Sequence, residues 1–141
     1  MKKGDNMAKF KGIIITDNIL TENEMALFLK KYNSENYDSV IDSRNPDGHF
    51  DYFIIGDMFE KDYIMTNNGN KVSGEIIKNI NFEKSINSIT NNLECIVDKY
   101  HWYSINYLKE CNPGTNDNKL IKNLLYSIDK DKVLTIVTFH F

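Results

Sequence analysis

The chain has little proline (two residues), little cysteine (two), one tryptophan, and a single arginine, Arg44, among 17 basic residues. Each scarcity excludes something. Cys95 and Cys111 lack C-x-x-C spacing, so they form neither a zinc or redox motif nor a disulfide framework, and they read as free, reduced thiols. With one arginine there is no basic face of the kind that holds a duplex through phosphates and guanine edges, and direct duplex DNA binding is not expected. No apolar run approaches the roughly 20 residues needed to cross a bilayer. Met1-Lys2-Lys3 leads into Gly4-Asp5-Asn6 rather than a signal-peptide core, so a cytoplasmic location without a membrane partner is expected. Catalytic signatures are scarce as well. Gly69-Asn70-Lys71-Val72-Ser73-Gly74 fits neither phosphate-binding glycine pattern, and there is no G-x-S-x-G, H-x-x-x-H or H-E-x-x-H. No cofactor and no metal are implied.

What is present is aromatic mass. The 141 residues are 41% hydrophobic and 26% charged, with eight Tyr and eight Phe, enough for one core and too apolar for a disordered chain. The expectation is a flexible segment over residues 1–10 and a single domain over 11–141. The net charge of −3 mainly favours solubility. Nineteen asparagines and the preference for Lys over Arg suggest an AT-rich coding sequence, from a low-GC bacterium or something that infects one.

Periodicity assigns the elements. The β-branched run Gly12-Ile13-Ile14-Ile15-Thr16 reads as a buried strand. Thr21 and Glu24 form a capping box with Leu20 and Met25 at the staple positions, and Met25, Phe28, Leu29 and Tyr32 supply the inward face of a helix. Val40-Ile41 reads as a short strand, Asn45-Pro46-Asp47-Gly48 as a turn, and residues 50–55 as a strand apolar on both faces apart from Asp51. Tyr63 to Thr66 reads as a hairpin return before Asn67-Asn68-Gly69-Asn70. Residues 73–100 carry apolar positions at steps of three and four and read as one amphipathic helix that includes Cys95, or as that helix entered through a shorter one carrying Ile76, Ile77 and Ile80. Residues 101–107 alternate as a strand, a short helix opens at Thr115 or Asp117, and residues 133–141 form a central strand. The order of elements predicts an α+β fold of ferredoxin-like type, a mixed or antiparallel sheet of about four strands covered by about three helices.

Candidate chemistry follows the strands. His49, His101 and His140 each open or close a strand, and Asp51 and Asp57 flank the second one, a set suited to metal binding or acid–base work if it converges. The densest aromatic stretches, residues 50–59 and 100–103, are mostly core, with Tyr52, Trp102 and Tyr103 reaching the surface as stacking partners. Asp51, Tyr52, Asp57, Trp102, Tyr103 and His140 are therefore the candidate binding residues.

The stretch Asn45-Pro46-Asp47-Gly48-His49-Phe50-Asp51-Tyr52-Phe53-Ile54-Ile55-Gly56 resembles a motif of small uncharacterised phage and bacterial proteins, N-P-x-x-K-W-D-W-Y-x-I-G-G-R-W. The tail from Asp131 to Phe141 is similar to the closing D-x-x-L-x-T-V-V-D-x-H-I of that family, and Tyr100-His101-Trp102-Tyr103 occupies the place of its tryptophan-rich strand. Asp57-Met58-Phe59 replaces G-R-W, and Thr138 replaces the aspartate before the last histidine. The resemblance implies a phage or mobile-element setting. The expected function is non-enzymatic binding, with interference in host defence, anti-CRISPR-like or nucleotide-sequestering, as its sharpest form. The partner would be a host protein, a protein–nucleic acid complex, or a small nucleotide held in a sheet-face pocket of Tyr52, Trp102 and His140. The alternatives are a metal-dependent hydrolase or nuclease using the His and Asp residues, and an assembly module dimerising through a strand edge.

Overall fold

The computed structural model describes residues 9–34, 37–38, 43–44, 48–58, 61–89 and 93–140. The expected strand at Val40-Ile41 and the turn residues Asn45, Pro46 and Asp47 lie outside them, as do residues 1–8.

Strand β1 (Lys9–Thr16) starts three residues ahead of the Gly12-to-Thr16 run, because Phe10 is stacked on Phe139, with ring centroids 5.3 Å apart. It leads into α1 (Glu22–Leu29). The Thr21 amide donates to Glu24 Oε1 at 2.8 Å and the Glu24 amide donates to Thr21 Oγ1 at 3.2 Å, completing the expected capping box. A 3-10 turn over Lys30–Tyr32 then brings Tyr32 inward beside Met25 and Leu29. Two short pairs follow in the chain, β2 (Tyr37–Asp38) with β3 (Ser43–Arg44), and β5 (Ile64–Met65) with β6 (Lys71–Val72). Between these pairs lies β4 (Tyr52–Ile55). The later elements are β7 (Gly74–Ile76), α2 (Phe82–Ile89), β8 (Leu93–Val97), β9 (Trp102–Ser104), α3 (Ile105–Cys111), α4 (Asp117–Tyr126) and β10 (Val133–His140).

Among the described residues the main sheet has six strands, in the order β4-β10-β1-β8-β9, with β7 sharing the outer edge of β10 beside β4. β10 runs antiparallel to β1 over its whole length, from Lys9 opposite His140 to Thr16 opposite Val133. β8 is parallel to β1, so the sheet is mixed. The final strand is central as its composition requires: Leu134 and Ile136 join Ile13 and Ile96 on one face, while Val137 and Phe139 join Ile14, Cys95 and Val97 on the other. The first face packs on α2, α3 and α4 through Ile86, Ile89, Ile105, Ile121 and Leu125. The second packs on α1 and the 3-10 turn through Met25, Leu29 and Tyr32.

The fold is therefore α+β, but among the described residues its main sheet has six strands and there are four α-helices, where about four and three are expected. The long helix read over residues 73–100 accounts for the two added strands. Among the described residues of that span only Phe82–Ile89 is α-helical; Gly74–Ile76 and Leu93–Val97 are strands. A short apolar run such as Leu93, Cys95, Ile96, Val97 satisfies helical and extended spacing alike, and the slot between β1 and β9, buried on both faces, selects the extended form. Two smaller corrections share one cause, polar side chains that cap. Ser104 accepts the Tyr107 amide at 3.1 Å, ending the expected 101–107 strand as β9 at Ser104 and opening α3, and Asn116 rather than Thr115 or Asp117 caps α4, accepting the Lys119 amide at 2.8 Å.

Candidate functional site

The antiparallel pairing of β4 with β10 sets Tyr52 opposite His140 and Ile54 opposite Thr138. Alternation along β10 places His140 and Thr138 on the same face as Leu134 and Ile136. Asp51, just ahead of β4, is tied to His140 twice. Its amide donates to the His140 carbonyl at 2.8 Å, and its carboxylate lies 2.6 Å from His140 Nδ1. The Tyr52 ring stacks on the imidazole at 4.5 Å and 13°. With Nδ1 engaged by a carboxylate, the ring's orientation is set and Nε2 is the nitrogen left to meet a ligand.

One step along the same face, the Thr138 hydroxyl donates to the Gly56 carbonyl at 2.7 Å and accepts the Met58 amide at 3.1 Å. Gly56 has φ +98°, a conformation that glycine adopts without strain, and the turn it makes carries Asp57 under the sheet. There Asp57 meets Lys11 Nζ at 3.3 Å, and Lys11 also contacts Asp62. The Asp57 carboxylate further accepts the amides of Lys61 at 3.0 Å and Asp62 at 2.6 Å. The three side chains are 11%, 1% and 7% exposed for Lys11, Asp57 and Asp62, so the charged groups of this cluster are largely buried.

Trp102 lies elsewhere. It packs with the second face, against Phe139 at 5.0 Å, Tyr32 at 5.2 Å and Phe50 at 6.1 Å. The exposed His49 ring covers it at 4.5 Å and 7°. His49 is held there by its chain neighbours, since its amide donates to the Tyr32 carbonyl and the Ser34 amide donates to the Phe50 carbonyl, each at 2.6 Å. Around this stack opens a groove of about 800 Å³ at the β9 edge of the sheet, lined by Lys31, Tyr32, His49, Tyr100, His101, Trp102, Tyr103, Ser104 and Tyr107. Tyr103 stacks with His101 at 5.2 Å, and Tyr100 and Tyr107 are 70% and 57% exposed. Lys31 Nζ lies 5.0 Å over the Tyr32 ring and donates to the Lys99 carbonyl at 2.8 Å.

The candidate residues thus divide. Asp51, Tyr52 and His140 form one cluster, Asp57 is buried beside it, and Trp102 and Tyr103 belong to the groove, so the expected pocket of Tyr52, Trp102 and His140 does not form. His49 and His101 join the groove rather than His140, which is separated from β9 by β1 and β8. Among the described residues no three His, Cys, Asp or Glu side chains converge as a metal site. Sequence reasoning passed over Lys11, Asp62, Lys31 and Tyr107. Lys11 carried a readable signal: in the alternation of β1 it falls on the inward face of Ile13 and Ile15.

The two cysteines differ in reactivity. Cys95 is in β8, not in a helix, and burial together with the nearby Glu94 charge pushes its thiol well above the ordinary range. Cys111 is exposed at the end of α3, where its hydrogen bond and charge raise the Tyr107 phenol above its ordinary value. A chromogenic disulfide reagent is expected to titrate one thiol in the native protein and a second after denaturation. Two fast thiols would show that β8 is not packed as described.

Comparison with family models, with curated proteins and with solved structures yields no match for this chain, so its fold and site geometry are the basis for its function.

Proposed function

We propose that the protein acts by recognition rather than catalysis, holding the base of a small nucleotide in the aromatic groove beside β9. One observation carries this reading: tyrosine, histidine and tryptophan rings, with Lys31, surround a single open groove whose volume lies within the roughly 300–1,000 Å³ of small-ligand sites. Stacking a base on such rings is worth about 1–3 kcal/mol each, and Lys31 with the two imidazoles offers donors to phosphate. A nucleic-acid strand is the poorer occupant. A strand needs a continuous basic track, whereas this chain carries −3 overall and its groove a single lysine. In the phage or mobile-element setting that the motif resemblance implies, sequestering a host signalling nucleotide would blunt a defence response. The alternative of metal-dependent hydrolysis has in its favour only the His140–Asp51 contact, which orients one imidazole.

Trp102 is the single tryptophan and lies in the groove, so its fluorescence reads occupancy directly. Titration with a panel of linear and cyclic nucleotides is expected to give a saturable change with at least one member. Tyr103→Ala and His49→Ala should each weaken that binding about tenfold, equivalent to one lost stacking contact. A panel that leaves Trp102 unchanged at millimolar concentration refutes the reading.

A further inference from the structure

Lys11, Asp57 and Asp62 are the most deeply buried charged cluster in the described residues, and nothing in the recognition reading uses them. Their arrangement has three parts. Lys11 Nζ reaches both carboxylates from β1, and the carboxylates come from the loop between β4 and β5. Asp57 is fixed by the two backbone amides of Lys61 and Asp62, which converge on its Oδ2. The Asp62 carboxylate faces the ammonium of Lys11. Beside the cluster lies a cavity of about 340 Å³ lined by Asp57, Asp62, Tyr63, Ser73 and their neighbours.

We propose that Lys11 and Asp62 become joined by an intramolecular amide bond, with Asp57 as the proton carrier. Asp57 relays a proton from the Lys11 ammonium to the Asp62 carboxylate, and the freed lone pair attacks Cγ of the neutral acid. A C–N bond forms and the C–OH bond of Asp62 breaks. The departing hydroxyl leaves as water, taking one proton from the former amine through Asp57. The charges on Lys11 and Asp62 cancel, Asp57 ends as it began, and no oxidant or activating co-reactant is needed.

Two physical terms favour the step here and not in water. Burying an ammonium and a carboxylate costs several kcal/mol per ion even after relaxation, and conversion to a neutral amide removes that penalty for both. Holding the amine against the Asp62 carboxylate also replaces a bimolecular encounter, and groups that reach a well-oriented geometry have effective concentrations of about 10⁵ M or more. The adjoining cavity gives the released water an exit. The surface pairs Lys78–Asp131 and Lys122–Glu83 do not meet the first condition, because their side chains are largely hydrated. The bond would tie β1 to a segment 51 residues further along the chain.

The mass of the intact, denatured protein tests this directly. The expected result is a chain lighter than its sequence by one water, and a branched tryptic peptide joining the segments that contain Lys11 and Asp62. Lys11→Arg preserves the cation but cannot form the amide, and should restore the full mass; Asp57→Asn should do so by removing the proton carrier. Wild-type protein at its full sequence mass overturns the proposal without any variant. So does a water loss that persists in Lys11→Arg, which would place the dehydration elsewhere.

Discussion

Phe139→Ala is expected to destabilise the domain by about 3–5 kcal/mol, the range for removing a fully buried aromatic side chain. Phe139 has no exposed surface and lies at the centre of the second face. It meets Phe10 at 5.3 Å, Phe50 at 4.9 Å and Trp102 at 5.0 Å, which together tie β10 to β1, β9 and the segment before β4. Its position depends on Gly12. A Cβ there would lie 2.5 Å from Cys95 Sγ and 3.0 Å from the Phe139 ring, so the missing side chain in β1 is the space the ring occupies. Surrounding residues cannot close the resulting void, because they are strand-borne and fixed by register. Denaturant titration followed by Trp102 fluorescence measures the loss. A change below about 1 kcal/mol would mean that the aromatic cluster is not a packed core.

Lys11→Met should be comparably severe, at about 3–5 kcal/mol, for an electrostatic reason. Methionine matches the lysine stem in shape but leaves Asp57 and Asp62 buried together without their cation. Changing all three positions together to uncharged residues of similar volume should recover much of the loss, because the penalty lies in the uncompensated charge rather than in missing volume. Equilibrium unfolding of the single and triple variants tests both statements, and a nearly neutral Lys11→Met would show the carboxylates to be hydrated. Where the Lys11–Asp62 link is covalent, Lys11→Met removes the cross-link as well, so unfolding reports the combined loss and intact mass reports the bond.

Local signals were the most legible. The Thr21–Glu24 box, the Gly12-to-Thr16 run and the apolar Val133-to-Phe139 strand are encoded within a few residues, and each forms as its pattern requires. The segment 73–100 was misread because apolar residues at steps of three and four also suit strands buried on both faces; only the open place beside β1 decides between them. At the candidate sites, residue types were readable but partnerships were not. Asp51 and His140, 89 positions apart, meet because β4 pairs with β10 in one register, and a shift of one residue would have turned His140 to the other face.

The sequence by itself determined that this chain builds one aromatic-rich α+β sheet whose first and last described strands are buried, since composition and period alone demand it. Tertiary structure decided how the aromatics and charges divide. Strand order sends Trp102 and Tyr103 to a groove at one edge, Tyr52 and His140 to the other side of the sheet, and Lys11 inward to Asp57 and Asp62. The physical reason is that a side chain's face follows from its local two-residue alternation, whereas its neighbours follow from which distant strand supplies the adjoining hydrogen bonds.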